Sequence, residues 1–345
     1  MKGEASARQV RVLAFVAALA PIVTLPGLVA REGGALGWLA PVLAIPVVTL
    51  GFFLFRGLGP QGLGQALAER WGWLGRLCAL FYYLWMMALA ALTAGQCVDR
   101  LGRTDYAQVS PWLMSLALGV AAWYLTAHGR GAFLRAVEIF YLILLAALGL
   151  FFVLGIWGME PENLRPRDWG EVSGVFSGLL PTLGTMAVGS LAAFFPRERR
   201  SEKKKGWAAV WWCLAAAGVC LLVTGALGGT LAGRMPLAFF LSLQGIGIPG
   251  GFQRLEGLGT AVWVLSDLTL LGGAVLAGKL LAGDRRWAPW PVLLAGVLGG
   301  GLLTGENTGP FMNAVLWVEL AFGGGIPLLL WLTPKKFFQG KKGSG

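Results

Sequence analysis

VRVLAFVAALAPIVTLPGLVA, residues 10–30, is an apolar run of membrane-spanning length that carries Pro21 and Pro26 in its interior. Proline removes a helical hydrogen bond, and its ring clashes with the carbonyl four residues back. A backbone group freed inside hydrocarbon has no water to bind and is costly to leave unpaired. Unwound backbone at membrane depth is therefore tolerated only where protein or a polar cavity covers it, so this run marks a site. A second break is expected at Pro181-Thr182-Leu183-Gly184. Paired interrupted helices in corresponding halves of a chain point to a transporter-type binding site.

Working outward, 56% of the residues are hydrophobic and 13% charged, and mean hydropathy is +0.68. That composition excludes a soluble globule with a polar shell and describes an all-α integral membrane protein. Ten apolar runs lie at about 10–31, 36–55, 74–98, 110–127, 133–157, 172–195, 207–231, 255–282, 288–304 and 311–332. Most approach the roughly 20 residues that a spanning helix needs. The first run is too long, and too many follow it, for a cleaved signal peptide.

The formal charge of +11 would suggest nucleic acid in a soluble protein, but its distribution indicates topology instead. With a cytoplasmic N-terminus, the even-numbered loops and both tails hold 21 of the 28 Lys and Arg, including six at 197–205. The positive-inside rule then places both termini in the cytoplasm of a multi-pass protein. The basic run is read as this topology signal, with anionic lipid as the alternative partner. Cys78, Cys97, Cys213 and Cys220 lack metal-type spacing and read as small hydrophobes.

Ten spans form two sets of five, and an odd number per set obliges the second to enter with inverted orientation. The expected organisation is a single transmembrane domain, 1–345, with half-repeats at about 6–157 and 170–333 and a basic tail at 334–345. In each half the leading span is the broken one, which resembles the architecture of amino-acid-polyamine-cation transporters. The outside segment Gly158–Val172 links the halves, and Asp168–Phe176 is expected to form a short interfacial helix with Trp169 at the headgroups. Gly245-Ile-Gly247-Ile-Pro-Gly250 mimics a dinucleotide loop, but no strand precedes it and proline interrupts it.

The eighth run is the richest in polar side chains. Glu256, Thr260, Trp263 and Asp267 are spaced i, i+4, i+7 and i+11, which places them on one helix face. At 1.5 Å per residue, Glu256 and Asp267 are roughly 16 Å apart, so Asp267 lies near the midplane if Glu256 is interfacial. An intramembrane carboxylate should face a cavity or a partner. Three outcomes stand open for Asp267: protonated in the core, binding a ligand amine or cation, or paired with a base that the fold brings near. Glu319 in the tenth run poses the same question. Arg135 and Glu138 are spaced for an i, i+3 ion pair at the cytoplasmic start of the fifth run. His128, the only histidine, reads as a solvated loop residue. No catalytic triad, phosphate loop or metal cluster stands in the sequence, so neither enzyme nor cofactor is expected.

Phe252-Gln-Arg-Leu-Glu256 followed by Trp263 resembles the F-x-R-x-E … W signature of the B subunit of bacterial spore germinant receptors, the endospore germination permease family. Ser6-Ala-Arg-Gln9, Thr24-Leu25-Pro26, Trp38, Arg135-Ala-Val-Glu138-Ile, Pro181 and Pro196 agree, so the resemblance spans about residues 6–333. The chain departs from it at Leu19 and Pro21, where glycines are usual, and at Ser190 after Gly189. The resemblance implies an amino-acid-permease fold and a subunit in the inner spore membrane. Such a subunit binds a small nutrient germinant, typically an amino acid, and signals with A and C subunits. Arg254 and Glu256, with Arg135 and Glu138, are its motif positions. On this reading the germinant carboxylate meets amides near Ala20, Pro21, Ile22, Val23 and Thr24, and its amine meets carbonyls of the sixth-span break around Gly184, Thr185 and Gly189. Met86, Ala90, Thr93, Thr260 and Trp263 would shape the side-chain pocket. An amino-acid transporter would use the same site with ion coupling through Asp267 or Glu319. A scaffold that binds nothing is the third reading.

Overall fold

The computed structural model describes residues 5–57, 60–103, 106–197, 207–235, 237–245, 255–303 and 312–333. The described residues are helical, with α1 (Ala7–Ile22), α2 (Leu25–Gly33), α3 (Leu39–Leu43), α4 (Ile45–Gly57), α5 (Leu63–Trp71), α6 (Trp73–Arg103), α7 (Pro111–Ala127) and α8 (Arg130–Trp157) in the N-terminal part. The C-terminal part holds α9 (Gly170–Ser177), α10 (Leu179–Ala187), α11 (Trp207–Leu227), α12 (Gly229–Arg234), α13 (Ala238–Gln244), α14 (Leu255–Leu281), α15 (Pro289–Leu302), α16 (Met312–Leu320) and α17 (Ile326–Leu332).

Among the described residues six helices are long and apolar enough to cross a membrane, and the bent pair Ala7–Ile22 plus Leu25–Leu36 makes up to seven. Ile45–Phe55, Pro111–Ala127 and Pro289–Leu302 are shorter apolar helices. Every apolar run of the sequence falls on helix. Large apolar side chains such as Leu113, Ile139, Leu142 and Trp211 point outward, as lipid requires. With no hydrophobic drive between helices in lipid, close packing of small residues takes over. At the α6–α15 contact Gly299 lies against Ala91, leaving no room for a Cβ.

The N-terminus shows what two of the short motifs do. Ser6 and Gln9 form a capping box: the Gln9 amide donates to Ser6 Oγ at 3.2 Å, and the Ser6 amide donates to Gln9 Oε1 at 3.1 Å. Gln9 Nε2 then donates to Glu138 at 3.3 Å, and Arg8 approaches the same carboxylate at 3.9 Å. Glu138 therefore anchors α1 to α8. The expected Arg135–Glu138 pair does not form, because Arg135 donates to the Gly131 carbonyl one turn back at 3.2 Å.

The first break is real, and its position is set by the prolines. α1 runs through Pro21 to Ile22, α2 begins at Leu25 with Pro26 in its first turn, and the axes differ by 59°. Pro26 fits there because the first amides of a helix have no intrahelical partner. Thr24 stabilises the bend: its amide donates to the Pro21 carbonyl at 3.1 Å and its hydroxyl at 2.8 Å. The Leu19 carbonyl is taken by the indole N–H of Trp263 at 2.8 Å.

The break expected at Pro181–Gly184 lies elsewhere. α10 runs straight through those residues, because Pro181 is its third residue, where an amide is not needed. The departure from α-geometry comes one turn later, in a 3-10 segment at Val188–Phe194. Facing it, the chain between α16 and α17 forms a π turn, Ala321–Gly325, just after Glu319. Gly323 of that turn packs on Ala187 and Ser190, and Tyr82 of α6 donates its hydroxyl to the Phe322 carbonyl at 2.6 Å. Where a short helix is expected at Asp168–Phe176, α9 forms with Trp169 as its N-cap, and it belongs to the apolar stretch Gly170–Phe194 that is long enough to span. Between α12 and α14, α13 inserts Phe239 between Phe151 and Trp263, an element that the apolar runs do not announce.

Replacing Trp263 by Phe removes the donor from the buried Leu19 carbonyl and should cost about 1–3 kcal/mol. Tyr82→Phe does the same at Phe322. Both should lower the unfolding midpoint of purified protein in detergent; an unchanged midpoint in both would mean that these carbonyls are satisfied otherwise.

Candidate functional site

A cavity of about 30 Å³ lies where the α1–α2 bend meets α6, α10, α14 and α16. Its polar lining is Thr24, Thr93, Gln96, Thr185, Asp267 and Glu319, with Ala20 and Pro21 from the bend. Residues distant in sequence converge there because the bend swings Thr24 inward while α6, α14 and α16 pass behind it. The volume holds about two water molecules. Even glycine exceeds it, so this conformation is a closed one. A second cavity of about 160 Å³ between α1, α4, α10 and α11 is lined by Phe15, Phe52, Met186 and Trp212. Its walls suit hydrocarbon rather than a zwitterion.

Of the sequence-expected residues, the fold brings Ala20, Pro21, Thr24, Thr93, Thr185, Asp267 and Glu319 to one cavity. It does not bring the others. Ile22 and Val23 are wholly buried in the apolar core, Pro21 has no amide, and the amides of Ala20 and Ile22 lie within α1. The half-helix amides that could face an anion therefore belong to the start of α2. Ala90 packs against Gly296 of α15, Gly184 against Leu316, and Gly189 against Trp212 beside the apolar cavity. Trp263 is engaged with Leu19, and neither it nor Thr260 reaches the cavity lining. Met86 lines a pocket of about 10 Å³ next to it, shared with Glu319. Arg254 and the side chain of Glu256 lie outside the described residues.

The two acids have different fates. Asp267 forms a salt bridge with Arg100, both side chains being at most 4% exposed. Of the three outcomes open in the sequence, the third is the one found. Cys97 packs beside the pair, and the Phe240 ring of α13 lies 5.9 Å from the Arg100 guanidinium carbon. The bridge clamps α6 to α14 at the cavity wall. Glu319, 8% exposed, has neither a base nor a hydrogen-bond donor on it among the described residues. Two of the three lining hydroxyls are committed as donors: Thr24 to the Pro21 carbonyl, and Thr93 to the Leu89 carbonyl at 2.7 Å. Their lone pairs remain beside the two acids, the Gln96 amide and the Thr185 hydroxyl can donate, and among the described residues the lining holds no basic side chain. No group of three metal-type ligands exists among the described residues.

Arg100 lies beyond the third apolar run, 74–98, and reads in sequence as a loop charge, whereas Gln96 lies inside that run as a single polar residue. A signal was present: Thr93, Gln96, Cys97 and Arg100 recur at i, i+3, i+4 and i+7, a polar face on an apolar helix. Glu319 carried its own signal, an acid in the middle of an apolar run.

Breaking the buried bridge from one side leaves an uncompensated charge. Arg100→Met or Asp267→Leu alone should destabilise by about 3–5 kcal/mol, whereas the double variant should recover most of that loss. Denaturation of all three variants closes the cycle, and additive losses would show that the pair does not act as a unit.

A comparison with curated proteins finds no match. The family model described as "spore germination protein", a spore permease family, matches residues 5–278, from before the capping box of α1 almost to the end of α14. That stretch covers the bend, the Arg100–Asp267 bridge and every part of the cavity except α16. The chain belongs to the spore germination protein family of membrane permeases.

Proposed function

We propose that the chain is the B subunit of a spore germinant receptor, which binds a small nutrient, an amino acid by preference, in the cavity at the α1–α2 bend. The observation that carries this reading is the convergence of the bend and the start of the 3-10 segment on a cavity lined by threonines and two acids, with the π turn at the small adjoining pocket that shares Glu319. Irregular backbone at that depth is otherwise costly. On this reading the seven span candidates and the three shorter apolar helices make ten spans in a 5+5 inverted repeat, with α1–α2 and α9–α10 leading the halves. Both termini lie in the cytoplasm, and the protein resides in the inner spore membrane beside receptor A and C subunits. It binds and signals, and no catalytic step is assigned to it.

The closed cavity adds a requirement. Binding an amino acid must select an opened state, and only a ligand that prefers that state shifts the equilibrium. The elements free to move are those that already depart from α-geometry, the bend at Thr24, the segment 188–194 and the turn 321–325. Such a rearrangement is what partner subunits would detect. A permease with ion coupling uses the same opening as one half of alternating access, and the buried acids favour keeping it as the second reading.

Thermal unfolding of the purified full chain against a panel of amino acids, sugars and nucleosides tests the proposal. A ligand at one hundred times its dissociation constant should stabilise the protein by about 2.7 kcal/mol. Thr185→Leu, which fills the cavity, should abolish the shift while leaving folded protein. No response to any compound would sink the receptor reading in favour of a scaffold. Saturable uptake of a radiolabelled amino acid into proteoliposomes would replace it with the permease.

A further inference from the structure

Two acids line the same cavity, but only Asp267 is neutralised by a base. Glu319 has no such partner among the described residues, although it is more than nine-tenths buried and borders both the main cavity and the small pocket below it. An isolated buried carboxylate is costly unless a counter-charge reaches it. Two oxygens are placed to accept from that counter-charge: the hydroxyls of Thr24 and Thr93 have already donated their protons to backbone carbonyls, and among the described residues no Lys, Arg or His lines the space. A space holding about two waters is too small for an amino acid but matches a bare monovalent cation or methylammonium. The π turn follows Glu319 directly, so a charge bound there abuts one of the irregular segments assigned to opening.

We infer that Glu319 is the counter-ion for a monovalent cationic centre held in this cavity, with Thr24 and Thr93 as neutral oxygen ligands. Two sources share that chemistry, a free alkali cation and the ammonium group of a bound ligand. The inference rests on the cavity being the ligand site, and it deepens that reading by assigning the cationic end of the ligand. Asp267 is left to hold the α6–α14 clamp.

The probes are sodium chloride and methylammonium chloride, each compared with choline chloride at equal ionic strength, in thermal unfolding of the full chain in detergent. Either probe should raise the midpoint of the wild-type protein in a saturable way. Glu319→Gln should weaken the apparent affinity at least tenfold, whereas a conservative change far from the cavity, such as Trp290→Phe, should not. A sodium response without a methylammonium response identifies a free cation as the source; a methylammonium response identifies a ligand ammonium. No response to either salt, or a response retained in Glu319→Gln, overturns the inference and leaves Glu319 a neutral core acid. Should Glu319→Gln fail to fold, Glu319→Asp takes its place, since a shortened carboxylate must change the affinity; an unchanged value overturns the inference. Because neither probe is a germinant, a saturable salt response survives failure of the amino-acid panel. Amino-acid stabilisation that Glu319→Gln leaves intact, with no salt response, removes this inference and spares the receptor reading.

Discussion

A backbone carbonyl that loses its helical amide inside a bilayer has no water to accept from, and the arrangement of this protein follows from meeting that demand. Pro21 and Pro26 interrupt the first span, and two side chains repair it: Thr24 donates to Pro21, and Trp263, from α14 far along the chain, donates to Leu19. The π turn of the tenth run is repaired in the same way by Tyr82 from α6. Each donor sits on an element that also borders the cavity, Thr24 on the bend itself and the two aromatic residues on α14 and α6, so covering the backbone and building the site are one structural problem. The aromatic rings suit this task because they join an apolar body, which packs among helices, to a single directed donor.

The same economy governs the charges. Asp267 near the middle of α14 would be costly alone, and Arg100 reaches it from the last turn of α6 with Phe240 beside it. Such a bridge is a clamp more than a source of stability, since desolvation offsets much of its attraction. It fixes the relative position of α6 and α14, which together form one wall of the cavity. Glu319, which lines the same cavity from α16, has no such base among the described residues. The cavity thus carries one acid held in a bridge and one with no base on it among the described residues, and it is the contrast between the two that makes the second informative.

The short motifs acquire physical meaning in three dimensions. Ser6 and Gln9 close a capping box, and Gln9 then reaches Glu138, so two motifs more than a hundred residues apart are one contact. Trp263, grouped with the ligand pocket by its position on the polar stripe of the eighth run, covers backbone instead. The stripe itself is real: Thr260, Trp263 and Asp267 are all buried on one side of α14. Its members turn out to serve different neighbours, because a helix face of that length meets α1 at one level and α6 at another.

Helix content, the positions of the apolar runs and the interruption of the first one were legible in the residues, since each depends on local hydrophobicity or on the covalent limits of proline. The same holds for the suspicion attached to Asp267 and Glu319, because an acid within an apolar run is anomalous wherever the chain takes it. The sixth run was misjudged at Pro181, where proline fits the first turn of a helix, and the true departure at Val188 depends on Gly323 packing against Ala187 and Ser190. Partners were equally illegible: Arg100 for Asp267, Trp263 for Leu19 and Tyr82 for Phe322 are all separated by more than a hundred and fifty residues. Local chemistry specifies which groups need a partner, whereas the choice of partner follows from how the helices cross, which is settled only when the chain packs.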